Sequence, residues 1–218
     1  MAIKMCFLAS ENQPFVEELV SFTYVKGLSF SQKQKNAISF HDAIRSKFPN
    51  AKILEVSTKS QNQLGVFLSA FNLKLNGFPI ESIFQSSKVF CDGTQFENLM
   101  YASPKDAKQY ITNANLGMLS HFKYNNKIFP LEPRSLFYDY LYVSALNQIP
   151  KISKQLKEFD IFTDIEFNEK KQFNCQARSC AIYSYLLRTN KIDYFLSSVE
   201  TFAQLYPQTS TQIVFGDF

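Results

Sequence analysis

Proline, asparagine and glycine stop signals divide this chain into short elements before any other feature is weighed. They fall at Pro14, Pro49-Asn50, Asn76-Gly77, Pro79, Asp92-Gly93, Pro104, Asn125-Asn126, Pro133, Pro150 and Asn190. Strand-like and helix-like stretches between them do not alternate as strand–helix–strand units. That excludes a doubly wound parallel sheet and points to a helix-rich α+β fold with a small antiparallel sheet.

Between the stops, Ile3–Leu8 reads as a strand. Pro14 opens a helical stripe of Phe15, Leu19 and Phe22, and Ser29 and Ser31 precede a longer helix carrying Ala37, His41, Ile44 and Phe48. Lys52–Ser57 and Leu64–Phe71 read as strands. Pro79 sits at the first position of a helix running to about Phe90. Ser103-Pro104-Lys105-Asp106 is a capped helix start. Phe122–Phe129 is a hairpin about Asn125-Asn126, and Pro133 leads into an aromatic helix with Leu136, Tyr140, Val143 and Asn147 on one face. Ile152–Phe159, Asn174–Thr189 and Ile192–Leu205 are the remaining helices, with an extended Phe162–Phe167 among them.

Composition removes most familiar chemistries. The 218 residues include 6 Gly and 2 His, so no glycine cradle for phosphates and little scope for a Ser/His/Asp triad exist. His41 lies on an apolar stripe and reads as a boundary residue. Cys6, Cys91, Cys175 and Cys180 lack zinc spacing, so neither a metal nor a cofactor is expected, and reduced thiols in a cytoplasmic protein are. No membrane span is expected. A net charge of +4 is too small for a dedicated non-specific nucleic-acid binder but suits a phosphate-bearing substrate. The 23 Phe and 11 Tyr beside no Trp must supply much of the core.

One constellation stands out. With Pro79 opening a helix, Glu81, Gln85 and Lys88 fall at i, i+4 and i+7 on one polar stripe beside Ile80, Ile83 and Phe84. The stripe has an ordinary explanation too, since an acid early and a base late both suit the helix dipole.

These residues resemble the signature of the NADAR superfamily. Leu68-Ser69-Ala70-Phe71, Gly77 and Glu81-x-x-Phe84-Gln85-x-x-Lys88 follow its LSNF, G and E-H-x-F-Q-x-x-K elements in order. Ala102–Lys108 is similar to its SP-x-EAK element and Tyr142–Asn147 to a later helix. Phe162-Thr163-Asp164 and Asn174-Cys175-Gln176-Ala177 resemble its last two motifs. Ala70 and Ser82 replace the usual asparagine and histidine, and the family's F-W-G-x-G stretch is missing. The likeness runs from about Gly65 to Leu187, and the branch it points to accompanies DarT-type ADP-ribosyltransferase toxins.

The resemblance implies an N-glycosidase-like hydrolase that removes ADP-ribose from a nucleobase, guanine in DNA, as an antitoxin. Lys88 would be the Schiff-base nucleophile, with Glu81 as proton carrier and Asp164 as second acid. Ser69, Phe71, Asn72, Gln85, Asn174 and Arg178 would bind substrate, with Lys105 and Lys108 as further phosphate donors. Residues 1–60 would form an extension packed on a catalytic unit of residues 61–218, acting as a monomer. Its partners would be ADP-ribosylated DNA, or another ADP-ribose-containing ligand, and a DarT-type toxin. Two other readings remain open at this point: a pocket that binds its ligand or the toxin without catalysis, and hydrolysis of a small ribosyl-amine metabolite.

Overall fold

The computed structural model describes residues 1–168 and 174–206; the other stretches of the expected 61–218 unit lie outside the described residues. The described chain forms nine α-helices, two 3-10 turns and nine short strands.

A mixed sheet of order β2-β1-β9-β3 joins the N-terminal segment to the rest. β1 (Ala2–Leu8) and β2 (Val16–Phe22) are antiparallel; β9 (Ile161–Thr163) pairs antiparallel with β1 and parallel with β3 (Ile53–Glu55). The helix expected after Pro14 is therefore a strand. Val20 and Phe22 are buried while Leu19 is exposed, a period of two that the wider spacing of Phe15, Leu19 and Phe22 hid. α1 (Phe30–Lys47), capped by Ser29, covers one face of this sheet. Phe40 and Ile44 pack there with Phe22, Ile161 and Ile165 in a small core of their own.

The main core lies on the other face. α7 (Gln176–Arg188) packs between the sheet and α5 (Leu136–Asn147). Ten of the twelve residues of α5 are buried, as an all-round apolar sequence requires. Beyond α5 stands a second sheet, β6 (Lys88–Phe90), β7 (Leu119–Tyr124) and β8 (Lys127–Phe129). Phe122 and Phe129 pack on Phe137 of α5 at ring distances of 4.8 and 4.7 Å. The β7–β8 turn uses Asn125 and Asn126, both at positive φ, as expected of an Asn-Asn hairpin.

Four more expectations need correction. Leu64–Phe71 is not a strand; Asn62 caps the short helix α2 (Gln63–Phe67) by accepting from the Leu64 amide at 2.9 Å. Pro79, in the two-residue strand β5 (Phe78–Pro79) that pairs with β4 (Lys74–Leu75), is the N-cap rather than the first residue of α3 (Ile80–Ser86). That helix stops well before Phe90. The Ser86 and Ser87 hydroxyls both donate to the Ile83 carbonyl, at 3.0 and 2.7 Å, competing with the helical backbone, and Val89 and Phe90 go into a strand. The Ile192–Leu205 helix is two, α8 (Ile192–Leu196) and α9 (Val199–Ala203), because Ser198 caps a fresh start. The capped start at Ser103 is as expected: its hydroxyl oxygen accepts from the Asp106 amide and begins α4 (Pro104–Asn113). α6 (Pro150–Ser153) and the 3-10 turn Lys154–Glu158 occupy the expected Ile152–Phe159 helix. Among the described residues no helix is long and apolar enough to cross a membrane.

Candidate functional site

A cleft of about 710 Å³ opens between α3, the β7–β8 sheet, α5 and the turn after β9. Glu81, Gln85 and Lys88 line it on one side; Asp164, Asn174 and Gln176 line it on another. Phe71 stands at the rim, 44% exposed, and Tyr138 forms part of the wall. This size suits a nucleotide-like ligand.

Lys88 is not on the helix that carries Glu81 and Gln85. It is the first residue of β6, paired with Phe122, and it reaches the cleft because the chain turns from helix to strand at Ser87. Its ammonium lies 5.3 Å above the Phe84 ring. Phe84 rests in turn against Phe122, Phe137 and Tyr138. This aromatic bed removes water from the amine. Burial pulls the Lys88 pKa below the ordinary lysine value; Glu81 opposes that and Lys108, also in the cleft, reinforces it. A half-desolvated lysine over aromatic rings is the setting in which an amine becomes a nucleophile.

Gln85 donates through Nε2 to Glu81 at 2.8 Å. The carboxylate admits only the amide nitrogen there, so Oε1 is left as the group's free atom. That atom is buried and unpartnered. It therefore calls for a donor, such as a ribose hydroxyl, and does not suit a phosphate.

Asp164 lies at the exit of β9. Its Oδ1 accepts from the Glu166 and Phe167 amides at 3.0 and 3.2 Å, and its Oδ2 from Gln176 Nε2 at 3.0 Å. Burial, then the charge of Glu55, push its pKa up to about 7 despite those donors. An acid near neutrality is suited to proton exchange. Gln176 spans the site: its Oε1 takes the Ala70 amide at 2.6 Å, while the Ala70 carbonyl accepts from the Glu81 amide. One glutamine thus ties Asp164 to the start of α3.

Three expected substrate contacts do not line the cleft. Ser69 is fully buried, and its hydroxyl has no partner. Asn72 is exposed and donates to the Val66 carbonyl at 2.9 Å. Arg178 is turned inward to Asp139 on α5, with Nη2 at 2.9 Å and Nε at 3.2 Å. Asp139, fully buried, also accepts from Ser179 and Tyr206. A buried carboxylate must be paired, and this pairing takes the guanidinium that a diphosphate would need. Lys108 lines the cleft and Lys105 does not. Asn174 does not cap its helix; Cys175 holds the N-cap position without a side-chain bond.

The expected site also omitted Tyr138, Gln176 and Glu55. Tyr138 is buried beside both Glu81 and Asp164, and burial followed by those charges raises its pKa far above the usual value. It was hidden in an aromatic run that reads as core. Lys33, on the amide-rich start of α1, ion-pairs with Glu166, itself a cleft residue. Among the described residues no group of three or more His, Cys, Asp or Glu side chains is gathered as for a metal ion.

Comparison with known families decides the lineage. A model of the DarT1-associated NADAR antitoxins matches residues 2–213. The chain belongs to that family. No curated protein matches it. The match takes in the N-terminal segment, so β1, β2, α1 and β3 lie within what this family's members share.

Proposed function

We propose that this NADAR protein removes ADP-ribose from guanine in DNA and so reverses the modification made by a DarT-type toxin. The observation that carries the reading is convergence. A desolvated lysine from β6, a carboxylate from α3 and an acid with a raised pKa from the β9 exit share one nucleotide-sized cleft.

The chemistry assigns each a task. Neutral Lys88 attacks the anomeric carbon through Nζ, forming a C–N bond as the bond to the base breaks. The electron pair goes to the base nitrogen, which takes a proton from Asp164. The new ammonium gives a proton to Glu81. Its lone pair then expels the ring oxygen, which takes a proton back, leaving a Schiff base. Water adds to that carbon, the carbon–nitrogen bond breaks, and ADP-ribose leaves with Lys88 restored. Gln85 Oε1 receives a ribose hydroxyl. Lys108 is the cation available to the diphosphate. Residues 61–218 are the proposed catalytic unit and residues 1–60 its extension, joined to it where β1 and β3 pair with β9.

The test is turnover on an oligonucleotide bearing one ADP-ribosylated guanine. Free ADP-ribose and unmodified guanine in equal amounts, over many turnovers per protein, are expected. One-to-one retention of the modified strand without product would replace this reading with a binding role.

A further inference from the structure

The buried polar groups behind the cleft contain a carboxylate that the chemistry above does not use. Glu55 ends β3, in the N-terminal segment and outside the NADAR signature. It is 3% exposed and lies between buried Leu54 and Val56. Its two oxygens hold the residues on either side of Asp164. Oε2 accepts from the Thr163 hydroxyl at 2.7 Å, and Oε1 from the Ile165 amide at 2.8 Å; Ser57 adds a third donor at 2.6 Å. The parallel pairing of Glu55 with Thr163 sets this register. A buried charge is costly, and a fold retains one where it does something.

We propose that Glu55 is the positioning residue of Asp164, clamping the turn that carries it through Thr163 and Ile165 on either side. The proposal rests on the role given to Asp164 above. Glu55 is bonded to both residues that flank Asp164, and a charge on one buried carboxyl raises the proton affinity of another nearby. Burial raises the affinity of Glu55 itself.

The other groups around Asp164 do not replace this effect. Lys4, from β1, donates to the Phe167 carbonyl and lowers the proton affinity of both acids. Glu166 is matched by Lys33 and Lys59. Tyr138 and Tyr142 on α5, and Cys175 and Cys180 at α7, have pKa values raised by burial, so they stay neutral. His41, from α1, has its pKa lowered to about 4 by burial and Arg45, and is neutral too. Since the Thr163 proton goes to Glu55, His41 donates its Nε2 proton to the Thr163 oxygen at 2.8 Å.

That chain makes Glu55→Gln tolerable. The new amide nitrogen donates to the Thr163 oxygen, the Thr163 hydroxyl turns to His41, and the imidazole shifts to its other tautomer. The experiment is a carbon-13 carboxyl titration by NMR, run on wild type, Glu55→Gln and Glu55→Asp, with a pH–rate profile on the modified oligonucleotide. In Glu55→Gln the Asp164 midpoint is expected to fall by about one unit or more, and the alkaline limb of the rate profile to move with it. Glu55→Asp keeps the charge and should keep the midpoint. In wild type, the Asp164 and Glu55 resonances should each carry an inflection from the other's titration, a readout that needs no variant to fold. Independent single-step titrations, or an Asp164 midpoint unmoved in Glu55→Gln, would overturn the proposal while turnover stood. A shifted midpoint with no turnover in any protein would support the clamp and overturn the enzymatic reading instead.

Discussion

Replacing Asp164 with Asn should make the protein more stable at alkaline pH while stopping its reaction. Asp164 ordinarily titrates at 3.8 and is pushed up to about 7 in the fold. Between those values the native state binds the proton and the unfolded chain does not, so stability falls as pH rises through this window. At ~1.4 kcal/mol per unit, the loss is complete above pH 7 and amounts to about 4 kcal/mol relative to strong acid. Asn carries no charge and escapes it. Its Oδ1 can keep the Glu166 and Phe167 amides, but its amide nitrogen faces the Gln176 donor. That mismatch costs about 1–3 kcal/mol. The balance at pH 8 is a gain of roughly 1–3 kcal/mol, and at pH 5 it is near zero or negative, because less than half of the penalty has accrued there. Urea unfolding of both proteins at the two pH values reads it directly. The difference between the two ΔΔG values should be about 3 kcal/mol, with the variant favoured at pH 8. A variant weaker than wild type at both pH values by equal amounts would refute the linkage argument.

Two further outcomes follow from packing. A Cβ at Gly65 would lie 1.9 Å from the Glu55 carbonyl oxygen, a backbone atom that cannot swing away. Gly65→Ala should therefore cost about 1–3 kcal/mol, lowering the melting temperature by roughly 2–4 °C per kcal/mol in a chain of this size; an unchanged melting temperature would mean α2 is free to shift off β3. Arg178→Met should leave Asp139 buried without its cation and cost about 3–5 kcal/mol, while the KM of the folded fraction stays as in wild type. A raised KM with unchanged urea stability would instead make Arg178 a substrate contact.

Much of the site was legible because its residues are local. Glu81, Phe84, Gln85 and Lys88 lie within one turn-delimited stretch, and their order alone matched a family signature. What the spacing could not reveal was that Ser86 and Ser87 end the helix, so that Lys88 enters from a strand. Phe15, Leu19 and Phe22 fit a helical stripe, whereas the strand buries Val20 and Phe22 and leaves Leu19 exposed, a pairing that the partner β1 decides. Arg178 was misplaced because nothing in its own sequence neighbourhood announces Asp139, thirty-nine positions earlier on α5. Glu55 escaped notice for the same reason: its partners Thr163 and Ile165 are brought to it by a parallel pairing across more than a hundred residues. Buried between buried Leu54 and Val56, it also departs from the in-and-out alternation of a half-exposed strand.

The nucleophile carries the whole account, and trapping it is the most direct measurement. Incubation with the ADP-ribosylated oligonucleotide and borohydride, followed by peptide mass spectrometry, should find one reduced ribosyl adduct on Lys88, none in Lys88→Ala, and the DNA base released unmodified. Efficient release of ADP-ribose with no adduct at any lysine, or undiminished turnover in Lys88→Ala, would contradict it.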